Sequence, residues 1–279
     1  MDARIRLGRI NYLNCLPVYY GIEKGIVPIN VDLFHGPPTK LNKMFIDGKL
    51  DITPISSIEY ARNSEKSLIL PNMSISADGR VTSILLISKL PAEKLDGKTL
   101  TMTKSSATSV VLLKILLAKY WRVKPRLLTR EPDLSSMLTQ GDAALLIGDD
   151  ALRESRNVKE FYVYDLGEVW KNYTGLPMVF ALWVIRNSYS ADPQGLANVA
   201  GAFLKSKAWG VENMETLINE AEQTHHLPRD LISEHFAHIK HQLNDYYQTA
   251  LLRYYKEAAD IDLLKHVPEL KIWGDNLVG

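Results

Sequence analysis

The sequence has one cysteine, no excess of charge of either sign and no apolar run long enough to cross a bilayer. Cys15 alone can neither close an internal disulfide nor build a thiolate zinc centre, so nothing in the chain requires an oxidising compartment. Lys plus Arg number 33 against 32 Asp plus Glu, a formal charge of +1. That balance excludes the strongly basic surface by which proteins hold nucleic acid or an anionic membrane, and it points to a small partner. The longest apolar stretches, 109–117 and 176–185, are interrupted by Lys114 and Pro177 and fall short of the roughly 18 to 20 residues of a spanning helix. Residues 1–10 enter a strand-like run at once, without the charged and apolar regions of an export signal, so the expected location is the cytosol. Glycine fingerprints of dinucleotide and P-loop sites are missing, as is a Gly-x-Ser-x-Gly elbow. Nucleotide cofactors and covalent catalysis are therefore not expected.

What is present is a regular alternation. At 279 residues and 46% hydrophobic, the chain can bury two modest cores rather than one large one. Strand-like runs at 4–10, 28–34 and 51–55 alternate with helical runs at 18–24, 39–47 and 56–63, which predicts βαβ units and a largely parallel sheet. A long strand at 80–88 follows, and beyond Pro91 and Gly97 the pattern restarts with a strand at 98–103 and a helix at 106–120. It continues through 143–147 and 161–165 until the apolar strand 178–185. The rest is helical, with one-faced sets such as Leu196, Val199, Ala200 and Phe203, or Ile232, Phe236, Ile239 and Leu243. The expected architecture is an α/β protein of two lobes. The first, discontinuous lobe takes 1–87 plus 186–279, the inserted second lobe takes 88–185, and a cleft between them closes on a small anionic organic molecule.

Polar side chains gather where the predicted strands end, which is where open α/β sheets bind ligands. In Asn11-Tyr12-Leu13-Asn14, just before Pro17 starts a helix, Asn14 either holds a ligand or caps that helix. At Ser56, Ser57 and Glu59 the spacing is that of a capping box, and the helix start it marks could also receive a carboxylate. The run Ser105-Ser106-Ala107-Thr108-Ser109 ahead of an apolar helix holds more hydroxyls than capping needs, and reads as an anion cradle. Gly148-Asp149 ends another strand, with Gly148 letting backbone approach a ligand and Asp149 placed to contact it or to cap the next helix. Thr174-Gly175-Leu176-Pro177 precedes the returning strand on the hinge side.

His235, His238 and His241 invite a metal reading, but at three-residue steps they drift about 60° each around a helix, so they read as a solvated polar face with no metal. The tyrosines 246, 247, 254 and 255 fall on helical spacing and read as packing residues.

Taken together, the Gly-Arg-Ile-Asn-Tyr-Leu-Asn start with Pro17, the segment 48–57, the run 82–88, the turn 105–109, Gly148-Asp149 and 174–177 resemble the chorismate dehydratase family of the futalosine route to menaquinone. The resemblance runs along nearly the whole chain, and the Asn-Tyr-Leu-Asn start is its most specific part. It implies the fold of type II periplasmic binding proteins, recruited as a cytosolic enzyme that takes water from chorismate to give 3-[(1-carboxyvinyl)oxy]benzoate without a cofactor. It implies that Asn14 and Ser83 form the functional pair and that the serine and threonine turn holds a substrate carboxylate. The related naphthoate-forming enzyme of the same route shares the fold but differs at positions 11–14. A solute-binding protein for a carboxylate is the rival from another class.

Overall fold

The computed structural model describes residues 4–103, 106–189 and 193–274, and the strands among them form two sheets. The chain opens with β1 (Ile5–Ile10), α1 (Leu16–Glu23), β2 (Val31–Gly36), α2 (Pro38–Ile46), β3 (Ile52–Ser56), α3 (Ser57–Arg62) and the eleven-residue β4 (Ser67–Ala77). It crosses to the second lobe for β5 (Ile84–Ser88), β6 (Thr99–Thr103), α4 (Ala107–Ile115), β7 (Arg126–Arg130), α5 (Leu134–Gln140), β8 (Ala143–Ile147), α6 (Asp149–Glu154), β9 (Tyr162–Asp165) and α7 (Leu166–Thr174). It returns with β10 (Met178–Arg186), then α8 (Pro193–Glu212), α9 (Met214–His225), α10 (Arg229–His238), β11 (Ile239–Lys240) and α11 (Asp245–Ala259).

The first sheet has the order β11-β4-β10-β3-β1-β2 and the second β7-β6-β8-β5-β9. Parallel pairing holds for β1 with β2 and β3, and for β6 with β7 and β8. The sheets are mixed rather than largely parallel, because β10 is antiparallel to β3 and β4, and β5 is antiparallel to β8 and β9. The physical reason is the crossing itself: β5 and β10 each arrive from the opposite lobe, so they start at the cleft, where the strands beside them end.

The sheets also move the lobe boundaries. The 80–88 run is not one strand: 78–83 is an irregular link and β5 begins at Ile84 inside the second sheet, while β10 lies wholly in the first. The crossings thus fall at 78–83 and 175–177, not at 87/88 and 185/186. An apolar run looks the same from either sheet, so hydrophobicity alone could not choose the sheet.

Central strands are buried on both faces, as in the wholly buried β3, β5 and β8, which is why they read as continuous apolar runs. Under the first sheet Tyr19, Trp183 and Phe203 pack edge-on and stacked, and Trp183 Nε1 donates to the Tyr19 hydroxyl, which in turn donates to Gly8 O. Helix α8 packs on α1, and α9 and α10 pack on α1 and the 3-10 turn Leu13–Cys15. Helix α11 reaches both lobes: Tyr255 donates to Ser57 O and Tyr254 to Thr108 O.

Candidate active site at the cleft

Where strand ends of both sheets meet, the lobes enclose a narrow cavity. Tyr12 and Asn14 come from the turn after β1, Ser56 from the end of β3, Ser83 from the 78–83 link, Ser106 and Ser109 from the start of α4, and Gly148 from the end of β8. The apolar walls include Ile75, Val81, Ile84, Ile147, Phe180 and Ile239. Among the described lining residues there is no carboxylate, imidazole, amine or guanidinium. Such a cavity can hold an apolar ring between aliphatic walls, and its described lining meets anionic groups through hydroxyls, amides and backbone N–H groups.

Asn14 decides between its two readings. The helix it precedes has no side-chain cap, and Asn14 Oδ1 is buried without a hydrogen-bond partner among the described residues. A buried amide oxygen without a donor is costly, and a cap at the following helix leaves this one unexplained. The Asn14 carbonyl is held by His241 Nε2 at 2.7 Å.

The hydroxyl-dense turn divides. Ser106 caps α4, accepting from Ser109 N at 3.3 Å, and the two hydroxyls stand 3.0 Å apart at the cavity. Thr108 faces the other way and accepts from Ile58 N at 3.2 Å, and Ser57, which donates to Val179 O at 2.8 Å, stands 3.2 Å from it. Ser57 and Thr108 thus brace α3 against α4 and lie outside the cavity. Ala107 opens onto a wider hollow beside it, and Ser105 lies outside the described residues. Ser56 precedes α3 without a cap bond, and Glu59 pairs with Arg62 at 2.7 Å instead of closing a capping box.

Gly148 has φ +67°, and its N–H donates to Ser83 O at 2.7 Å. A side chain there would meet the Tyr12 ring at 3.3 Å, so glycine both adopts the left-handed backbone and admits Tyr12. Asp149 is turned away from the cavity, accepting from Leu13 N at 3.2 Å and standing 2.6 Å from His225 Nδ1, so it ties the second lobe to the first. Residues 174–177 form the return link and do not line the cavity. Thr174 donates to Trp170 O and accepts from Leu176 N, Gly175 ends α7 at φ +72°, and Pro177 O accepts from Trp170 Nε1 at 3.0 Å.

The histidine reading is overturned. His235 is 1% exposed, its Nδ1 stands 2.8 Å from Thr82 Oγ1, and His241 holds Asn14 O. Burial pulls both imidazoles down to about 4, so they are neutral near pH 7. The 60° drift assumed a continuous helix, whereas α10 stops at His238 and the chain turns into β11. That turn has no sequence signal strong enough to separate it from a longer helix. Thr82 and Asp165 were likewise invisible as site neighbours. No cluster of three or more metal-ligating side chains exists among the described residues, and no helix there is long and apolar enough to cross a membrane.

The sequence profile of a family described as menaquinone biosynthesis matches residues 5–260. Two chorismate dehydratases are relatives: that of Thermus thermophilus is 31% identical over 195 residues, spanning 64% of this chain and 69% of its own, and that of Campylobacter jejuni is 33% identical over 178 residues, spanning 62% and 64%. The second match thus covers less than two thirds of the Campylobacter enzyme. A 1,4-dihydroxy-6-naphtoate synthase of Thermus thermophilus is 27% identical over 186 residues, 64% of each chain. A solved protein of Archaeoglobus fulgidus superposes with a TM-score of 0.79 at 20% identity over 94% of this chain and 98% of its own. The periplasmic aliphatic sulphonate binding protein of Escherichia coli superposes at 0.69 with 15% identity over 98% of each. At such identity these two structures speak for the fold alone, which is the two-lobed α/β fold of periplasmic binding proteins.

Proposed function

The chain belongs to the menaquinone-biosynthesis family, and from that premise we propose that it is a chorismate dehydratase, a carbon–oxygen lyase working in the cytosol. It takes water from chorismate to give 3-[(1-carboxyvinyl)oxy]benzoate. The observation that carries the reading is the unpartnered Oδ1 of Asn14 in a cavity that also holds Ser83 and is closed by neutral hydroxyls and aliphatic walls.

The chemistry asks little of the protein. One ring C–H bond and the neighbouring C–O bond break, the ring becomes aromatic, and the proton and hydroxide leave as water. The site must orient the diene and stabilise charge that spreads toward the ring carboxylate. Ser106 and Ser109, with the N–H groups at the start of α4, are placed to hold a carboxylate. Because the described lining offers no protein base, the substrate's own enolpyruvyl carboxylate removes the proton, while Ser83 and Asn14 position it and assist hydroxide departure. Dehydration at the normal rate of an analogue esterified at that carboxylate would count against this route.

Incubating the purified protein with chorismate and following the aromatic product by chromatography tests the function, and no product at any enzyme concentration sinks it. The naphthoate-forming alternative predicts that same failure. Asn14→Ala and Ser83→Ala are each expected to fold normally and to lose at least about a hundredfold in kcat, the scale of one preorganised polar contact in a buried site. Near-wild-type rates in both would remove the assignment.

A further inference from the structure

Residue 82 has a backbone that a threonine should avoid. Its φ is +63°, in the left-handed region where a β-branched side chain is strained. It directly precedes Ser83, and both are buried, at 7% and 2% exposure. Strain of this kind persists only where the surroundings over-determine it, and two groups from different elements do so here. Asp165, at the end of β9, accepts from Thr82 N at 2.6 Å and from Val81 N at 3.0 Å, while also capping α7 through Gly167 N and Glu168 N. His235, on α10 of the other lobe, reaches the Thr82 side chain. The Thr82 hydroxyl donates to Val81 O at 2.6 Å, a carbonyl to which His235 is also hydrogen-bonded; with the hydroxyl hydrogen on that carbonyl, the tautomer that fits is Nδ1–H, donating to Thr82 Oγ1.

We propose that His235 and Asp165 are positioning residues that clamp Thr82 in its strained conformation and thereby aim Ser83 into the cavity. The clamp spans the lobes, since Asp165 belongs to the second and His235 to the helices packed on the first. It rests on the assignment of Ser83 to the dehydration. On the far side of Ser83 its carbonyl is fixed by Gly148 N at 2.7 Å, so the hydroxyl is the part left for substrate. The neutral state of His235 suits the role, because a neutral imidazole protonated at Nδ1 donates to the threonine without placing a charge behind the site.

Four variants separate aim from simple support. His235→Leu removes the donor, His235→Asn restores one at about the Nδ1 position, Thr82→Val keeps the strain but loses the acceptor, and Thr82→Gly relieves the strain. The expected result is that His235→Leu and Thr82→Val lower kcat by about ten- to a hundredfold, the scale of a small misplacement of a reacting group. KM for chorismate should stay within about twofold, and His235→Asn should recover most of kcat. Thr82→Gly should be milder than Thr82→Val, and adding His235→Leu to Thr82→Gly should cost nothing more, because the two act through one contact. Amide hydrogen exchange of a peptide covering 78–88 should quicken in His235→Leu, a readout that needs no turnover and remains available if chorismate is not the substrate. The proposal is overturned if exchange in 78–88 is unchanged in a folded His235→Leu protein, if His235→Asn loses as much rate as His235→Leu, or if the two substitutions add independently.

Discussion

At the scale of single residues, the neighbours Thr108 and Ser109 do different work, and substitution separates them. Thr108→Val strands the buried N–H of Ile58, so it is expected to cost about 1 to 3 kcal/mol of stability while leaving substrate affinity alone. Ser109→Ala removes a hydroxyl from the cavity and should weaken product binding about tenfold or more, with the ligand-free melting temperature little changed. Melting curves with and without product read both effects. An unchanged ligand-induced shift in Ser109→Ala would return that serine to a capping role. His235 sets a pH dependence. Its folded value is about 4 against the ordinary 6.5, so below 6.5 the unfolded chain binds the proton first. The stability due to its neutral burial is complete above that value and is lost as pH falls through about 4, by about 3 kcal/mol in all. Between pH 7 and 4.5 the wild type should therefore lose more melting temperature than His235→Asn, and parallel curves would contradict this.

At the scale of elements, α11 fastens the lobes from behind the cleft. Asn244 caps it by accepting from Tyr247 N, Tyr254 and Tyr255 send hydroxyls to carbonyls of α4 and α3, and Glu257 takes Lys119 and Arg253. The two tyrosines were legible in the sequence as packing residues by their helical spacing, but not as donors, because periodicity names a buried face and not what lies across from it. Tyr254→Phe and Tyr255→Phe should each cost about 1 kcal/mol, lowering the urea midpoint at constant slope. Turnover should stay within about twofold, and a loss of rate larger than the loss of stability would show that α11 also tunes the cavity. The strands teach a similar lesson: β4, with eleven residues, escaped the reading because Pro71, Asn72 and three serines break its apolar pattern, although it pairs on both sides in the first sheet, with β10 and β11.

At the scale of the whole molecule, the lobes meet through Asp149 as well as through the cavity. Asp149 accepts from Leu13 N, next to Asn14, and stands 2.6 Å from His225 Nδ1. Asp149→Ala removes both contacts and should populate more open forms, so product affinity falls about three- to tenfold while kcat at saturating chorismate changes little. A calorimetric titration checks this, and an affinity equal to the wild type would reduce Asp149 to a local helix contact.

The sequence by itself determined the class of fold, because alternating strand and helix periods admit few other arrangements, and it located the strand ends where polar side chains gather. Its resemblance to a known family named Asn14 and Ser83. Tertiary structure decided which hydroxyls face the cavity, since Ser109 and Thr108 differ only in the direction their side chains take from one helix start. It also decided that Asp149 and 174–177 belong to the links between lobes, and that His235, 153 residues from Thr82, closes on it across the cleft. Contacts so distant along the chain are set by how the lobes pack, and no local pattern of residues encodes them.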